Sequence, residues 1–214
     1  MRVRLTPRET IIEGTPGERS HLSASFGRSH FVRLPGLLEP GLARELHQSV
    51  EANGFFERED PGIARELTSN DATALGLIAL MLNDSPMRAL VGELAGRIPT
   101  VWSGRIYRFI AGGFYDSWHS DTDYDRVAAI SINLSPVPFE GCALEIRDAN
   151  SSEIVSRVAN TGLGDAVLFR IHETLEHRNT ALLGVRPRTV CAGFFRVGET
   201  FAELLELRGR MRRS

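Results

Sequence analysis

Three residues in this chain have the types and spacing of a metal site. His119 and Asp121 stand two apart in W-H-S-D, and a third residue, His177, follows a run that reads as a strand. On an extended segment, residues i and i+2 project from one face, so one imidazole nitrogen and one carboxylate oxygen can meet a single ion. H-x-D alone is a weak signal, because so short a pattern recurs by chance. Two histidines and one carboxylate leave coordination positions open, which suits an oxygen-activating non-haem Fe(II) centre. Zinc hydrolases use the same ligand types, so the ligands by themselves do not choose the metal.

A fourth residue narrows the chemistry. In R-T-V-C-A-G-F-F-R, Arg188 shares a strand face with Val190, Ala192 and Phe194. If that face is interior, its guanidinium needs an anionic partner or costs several kcal/mol. A dicarboxylate co-substrate would supply one: one end chelates the metal and the far carboxylate meets the arginine through two hydrogen bonds. All 25 basic side chains are arginine and the chain has no lysine. Schiff-base chemistry is thereby excluded, and any carboxylate clamp must be arginine.

From about Arg105 to Arg196 the chain resembles the 2-oxoglutarate and Fe(II)-dependent dioxygenases, most closely their prolyl-4-hydroxylase-like branch. The resemblance rests on R-F-I-A-G-G-F-Y-D-S-W-H-S-D, G-D-A-V-L-F, L-E-H and G-V-R-P-R-T-V-C-A-G-F-F. It implies Fe(II), 2-oxoglutarate as co-substrate and O2, with His119, Asp121 and His177 as the metal ligands. His177 lies 8 residues after Phe169 and His172 only 3 after it (177 − 169 and 172 − 169), and the longer gap is the usual one in the family. An arginine or lysine nine to eleven residues beyond the distal histidine holds the 2-oxoglutarate tail in these proteins. Both Arg186 (186 − 177 = 9) and Arg188 (188 − 177 = 11) satisfy that spacing, and Arg188 is preferred because the apolar strand follows it directly.

The family often has a tyrosine about ten residues before the first histidine. Phe109 stands there in this chain, and Tyr107, on the same face of a strand, is the expected substitute. Ser131 and Asn133 are the other candidate polar contacts to the co-substrate. Related halogenases replace the metal-binding carboxylate with a small residue, so Asp121 favours hydroxylation. The implied reaction is hydroxylation of an unactivated C–H bond in a small molecule, an amino acid or a peptide side chain, releasing succinate and CO2. Trp118, Tyr115, Tyr124, Arg126 and Arg147 are the candidate substrate contacts. The rival reading is a non-oxidative metal-binding jelly roll, a cupin-like isomerase or sensor.

These residues need a scaffold, and the hydrophobic periodicity outlines one. Residues 1–27 read as a polar, loosely packed arm carrying one short strand near Val3 to Leu5. Residues 28–214 read as a single dioxygenase domain: helical support over 38–100, a jelly-roll core over 101–198 and a helix over 199–212. In the support, Leu42, Leu46 and Val50 recur on one helical face and Asn53-Gly54 marks a stop. Asp71 opens a second helix, and Pro86 sits where the first turn of a third tolerates it. Apolar runs at 127–134, 142–147, 153–158, 165–170 and 189–197, broken by Gly, Pro, Asn and Asp, read as strands. The expected fold is therefore α+β, a double-stranded β-helix with helices from the N-terminal half packed against it.

Bulk properties exclude other classes. A net charge of −2 and a pI near 6.3, with no strongly basic groove, point away from nucleic acid and membranes. Ala111-Gly112-Gly113 is not followed by the Gly-Lys-Ser/Thr of a phosphate loop and reads as a turn. Cys142 and Cys191, both in strand-like runs, read as buried thiols. The N-terminal M-R-V-R-L-T-P-R-E-T has no signal-peptide pattern, so a cytoplasmic location is the default expectation. The oligomeric state is open, a homodimer included.

Overall fold

The computed structural model describes residues 1–62, 64–111, 116–159, 162–198 and 203. Tyr115, the Gly112-Gly113 turn, the side chain of Tyr124 and the helix expected over 199–212 lie outside the described residues.

Local chemistry sets the helix ends. The chain opens with a hairpin of β1 (Arg2–Leu5) and β2 (Thr10–Glu13), followed by helix α1 (Pro16–Ser29). Thr15 and Glu18 form a capping box at the start of α1, with Pro16 in its first turn. After β3 (Phe31–Leu34), α2 (Pro40–Asn53) ends at Gly54, whose φ of 71° suits glycine. A hairpin of β4 (Phe55–Asp60) and β5 (Ala64–Ser69) precedes α3 (Ala72–Leu82), whose first turn is capped by Asp71. Helix α4 (Ser85–Ala95) is capped by Asp84 and closes at Gly96.

Beyond α4 the regular structure of the described residues is mainly β, with one 3-10 turn at Asp123–Asp125. It comprises β6 (Val101–Phe109), β7 (Arg126–Asn133), the short β8 (Glu140–Gly141), β9 (Leu144–Asp148) and β10 (Ile154–Val158). Then come β11 (Ala166–Arg170), β12 (Leu175–Asn179), the short β13 (Leu182–Leu183) and β14 (Arg188–Arg196). A seven-stranded sheet runs β3-β11-β7-β14-β6-β5-β4, and a three-stranded sheet runs β10-β9-β12, every pairing antiparallel. The architecture is mixed α+β. Among the described residues no single helix is long and apolar enough to cross a membrane.

Period-two alternation sorts the large sheet into two faces. Trp102, Ile106, Ile130, Ile132, Leu168, Cys191 and Phe195 join one core with the buried faces of the helices. Their neighbours Ala129, Val167, Phe169 and Phe194 face the other way and pack on Leu144, Ile146, Val158 and Leu175 of the small sheet. The functional side chains are carried on this second, inter-sheet face. On the strand pair β6–β14, Gly104 faces Gly193, where a Cβ on either would meet the opposite backbone within 2.3 Å. Only glycine permits so close an approach.

Two expectations need correction. Residues 1–27 are not a loose arm: Val3, Leu5 and Phe26 are buried in the main core. Helix α1 has a weakly apolar face, so periodicity overlooked it; one large buried ring and a well-formed cap hold it instead. The supposedly helical stretch 38–100 also contains β4 and β5, which extend the large sheet through β5–β6 pairing. Their charged residues mask the strand pattern, because ion pairs such as Arg65–Glu57 and Arg105–Glu66 replace apolar packing along them.

Phe26 is fully buried, so Phe26→Ala should cost roughly 3–5 kcal/mol, the range for emptying a large aromatic site. Chemical denaturation of parent and variant measures this. A loss below about 1 kcal/mol would restore the picture of a loosely attached arm.

Candidate functional site

The two histidines meet through their backbones. His119 and His177 form an isolated antiparallel bridge in which each amide donates to the other carbonyl, at 3.2 and 2.9 Å. A directly opposed pair projects both side chains to one side, and the imidazole rings lie 4.4 Å apart. Asp121, two residues beyond His119, joins them. Its Oδ2 is 3.4 Å from His119 Nε2 and 3.3 Å from His177 Nε2. One donor atom from each residue falls within 4.8 Å of the others. One face of an octahedron with bonds of about 2.1 Å needs donors roughly 3 Å apart, so a small contraction would seat a divalent ion. The donor set therefore fits a metal.

Other contacts fix the ligands. His119 Nδ1 lies 2.7 Å from the Ser117 carbonyl, which holds that nitrogen as a donor and leaves Nε2 toward the metal face. Arg126 Nη1 donates to Asp121 Oδ1 at 2.6 Å, so the remaining oxygen, Oδ2, faces the histidines. Burial tends to raise the Asp121 pKa, but hydrogen bonds from both histidines and their positive charge prevail and hold it well below the usual carboxylate range. For His119, burial pulls the pKa down. The bonds to Asp121 and the Ser117 carbonyl, with the charges of Asp116 and Asp121, outweigh it and raise the value to about 9.

A cavity of about 430 Å³ contains all three ligands. Ala129, Val167, Phe169 and Phe194 form an apolar part of its wall, and Arg58, Asp60, Glu66, Arg105 and Asp123 form a charged part. Arg188 lies in the same cavity, 2% exposed. Its Nη1 donates to the Cys142 carbonyl (3.1 Å) and to Asn179 Oδ1 (2.7 Å), and its Nη2 to Ser131 Oγ (3.3 Å). All three acceptors are neutral. Buried Nε has no hydrogen-bond partner, and no carboxylate among the described residues forms an ion pair with this guanidinium. Arg186, the other arginine at a suitable spacing, is exposed.

The structure thus brings His119, Asp121, His177, Arg188, Ser131 and Tyr107 to one cavity. Burial, and next the charge of Glu66, push the Tyr107 phenol above its ordinary pKa against the opposing charges of Arg188 and Arg105. His172 is exposed, with its Nδ1 on the Thr174 hydroxyl.

Four expected contacts lie elsewhere or play another part. Asn133 shares the Ser131 face, but its side chain bonds the Ser135 amide and the Gly162 carbonyl and does not line the cavity. Trp118 neighbours His119 but does not line the metal cavity. The guanidinium groups of Arg147 (4.4 Å) and Arg178 (4.5 Å) both contact its ring. Arg147 itself pairs with Glu176 at 2.6 Å. Neither Trp118 nor Arg147 lines the cavity. Arg126 does line it, but as the partner of Asp121.

Sequence reasoning missed Glu66, Arg105, Asp116 and Asn179. Glu66 and Arg105 belong to the ion-paired strands β5 and β6, where no apolar alternation marks the inward face. Asn179 could have been found as His177 plus two on one strand face.

No protein-family profile and no curated protein matches the sequence. Solved structures do match the fold. A Pseudomonas putida prolyl-4-hydroxylase superposes with a TM-score of 0.63 at 14% identity, over 85% of this chain and 100% of that one. A Trichoplax adhaerens prolyl hydroxylase, in complex with a peptide fragment of the hypoxia inducible factor oxygen degradation domain, gives 0.60 at 13%, over 84% and 89%. The non-haem α-ketoglutarate-dependent epimerase SnoN of nogalamycin biosynthesis gives 0.63 at 15%, over 86% and 84%. The chain has the fold of 2-oxoglutarate–Fe(II) oxygenases.

Two outcomes test the centre. His177→Ala should lose divalent-metal binding, and His172→Ala should retain it; metal content after dialysis measures both, and the reverse order would transfer the ligand role. With His119 raised to about 9, a metal must displace its proton below that pH. Apparent Mn(II) affinity should therefore climb by up to about tenfold per pH unit from pH 7 toward 9 and then level off. Calorimetric titration at pH 6.5, 7.5 and 8.5 checks the slope; a flat profile contradicts it.

Proposed function

We propose that this chain is an Fe(II)- and 2-oxoglutarate-dependent dioxygenase built on a double-stranded β-helix formed by its two facing sheets. It oxidises an unactivated C–H bond, by hydroxylation, in a small molecule, an amino acid or a peptide side chain. Arg188 carries the reading: a buried guanidinium without a carboxylate partner lies in the same cavity as a two-histidine, one-carboxylate metal face. Such a group is costly to bury alone, and the far carboxylate of 2-oxoglutarate matches it in charge and shape. A non-oxidative, cupin-like isomerase or sensor that does not use 2-oxoglutarate would have the same ligands but no need of this arginine.

Each residue has a separable task. His119, Asp121 and His177 would hold the iron, with Arg126 keeping the Asp121 carboxylate turned toward it. Arg188 would hold the co-substrate tail, with Ser131 beside it. Tyr107 stays a neutral phenol and can donate a hydrogen bond without adding charge. Iron with 2-oxoglutarate bound there would supply the oxidising chemistry, one atom of O2 oxidatively decarboxylating 2-oxoglutarate to succinate and CO2 while the other oxygen atom goes to the substrate C–H bond. The apolar wall formed by Ala129, Val167, Phe169 and Phe194 keeps water from that centre. The charged wall of Arg58, Asp60, Glu66 and Arg105 favours a substrate bearing polar groups over a plain hydrocarbon.

Arg188→Met should weaken 2-oxoglutarate binding by about 30-fold or more, since an unpaired buried charge loses on the order of 2–5 kcal/mol. Iron affinity should hold, and Arg186→Met should change little. Anaerobic titration of the Fe(II) protein, following the charge-transfer band of the chelate, gives all three values. Equal affinities for parent and Arg188→Met would sink the assignment.

A further inference from the structure

Asp116 lies three residues before His119, and its side chain is only 8% exposed. Its Oδ2 accepts both the backbone amide (2.7 Å) and the side-chain amide (2.6 Å) of Asn179. The other end of that amide, Oδ1, accepts Arg188 Nη1 at 2.7 Å. On its opposite side, Asp116 Oδ1 stands 3.6 Å from Nδ1 of His119. The backbone of Asp116 pairs with Ala64 and the Ser117 hydroxyl donates to the Gly62 carbonyl, which fastens this segment to the β4–β5 turn.

We propose that Asp116, acting through the Asn179 amide, is a positioning residue shared by the metal ligand His119 and the arginine clamp at 188. This rests on the co-substrate role proposed for Arg188. The chemistry of the amide makes the link specific. A primary amide can donate to a carboxylate and accept from a guanidinium at the same time, so the two partners fix which way Asn179 points. Asn179 thereby brings the influence of a carboxylate to Arg188 without placing one against it. A carboxylate in direct contact would neutralise the guanidinium and compete with the anionic co-substrate; a neutral acceptor fixes one Nη and leaves Nε unpaired. Asp116 Oδ1 also stands 3.6 Å from His119 Nδ1, close enough to act on that imidazole through its charge while the Ser117 carbonyl takes the hydrogen bond, so one side chain bears on both halves of the site.

The test uses the full chain with Mn(II), titrated calorimetrically with metal alone and then with 2-oxoglutarate under anaerobic conditions. Asn179→Leu, close in volume, should weaken 2-oxoglutarate binding about tenfold, as for a missing hydrogen bond to a charged group, with Mn(II) affinity within about twofold of the parent. Asp116→Ala should weaken both ligands. Asp116→Asn keeps an acceptor for Asn179 and should recover most of the 2-oxoglutarate affinity. If Asp116→Ala does not fold, Asn179→Leu and Asp116→Asn still decide. An equal loss of Mn(II) and 2-oxoglutarate binding in Asn179→Leu would reduce it to fold support and overturn the proposal. So would parental 2-oxoglutarate affinity in Asn179→Leu alongside a large loss in Arg188→Met, and the clamp would then stand without this link. No loss in Arg188→Met would remove the clamp reading itself, and the proposal with it.

Discussion

The site depends on one pair of backbone hydrogen bonds, those exchanged by His119 and His177. Reciprocal bonding sets the register of the segment carrying H-x-D against β12, and register decides everything that projects from it. A slip of one residue would turn Trp118 and Ser120 inward and the ligands outward. The arginine pair around Trp118 works against that slip. Arg147 and Arg178 hold the indole on the outer face of the small sheet, and their partners Glu176 and Glu145 come from neighbouring strands of that sheet. Ion pairs on one face thus help to keep the metal ligands on the other.

Charge inside the cavity is arranged in two styles. Asp121 is bonded directly by Arg126 and faces two histidines, so its charge is compensated at close range. Arg188 is surrounded by neutral acceptors, and the nearest carboxylate in its hydrogen-bond chain, Asp116, is one amide away. The first style suits a ligand that must keep its charge and hold one orientation. The second suits a group waiting for an anion. Glu66 and Arg105 close their own pair within the charged wall, so Glu66 is engaged there and does not take Arg188 as its partner.

Much of this was legible in the sequence because strand periodicity is short and unforgiving. The H-x-D spacing and the strands at 127–134, 165–170 and 189–197 lie within a residue or so of the observed elements. Each presents a run of β-branched or aromatic residues between turn formers. His177 and Arg188 are singled out by spacings that the family resemblance implies, not by periodicity, and both line the cavity that holds the H-x-D pair. What stayed hidden has a common cause: it is stabilised by polar contacts that leave no hydrophobic rhythm. Helix α1 was signalled only by Thr15, Pro16 and Glu18 of its cap, and β4–β5 only by the Pro61-Gly62 turn. The misplacing of Asn133 is different in kind. Its face follows Ser131, but the loop at Gly162 and the Ser135 amide claim its amide, which only tertiary structure reveals.

Phe109 is where this site departs from the sequence pattern it resembles. In the register of β6 and β14 Phe109 stands directly opposite Arg188, while Tyr107 stands opposite Val190. Two residues along a strand move a side chain by about 7 Å, so the Tyr107 phenol is not a simple replacement for one at 109. The two rings meet edge to face with centroids 5.4 Å apart, and the Arg188 guanidinium lies 5.9 Å from the Phe109 ring. Phe109 therefore lines the clamp with hydrocarbon, which lowers the local dielectric and strengthens any carboxylate–guanidinium contact made there. With no hydroxyl at 109, hydrogen bonding beside Arg188 is left to Ser131, to Asn179 and to the Cys142 carbonyl. The phenol of Tyr107 is displaced toward the wall that holds Glu66 and Arg105, the side of the cavity on which we place the substrate. A shift of one aromatic hydroxyl along β6 thus moves a hydrogen-bonding group away from Arg188 and toward the charged wall of Glu66 and Arg105.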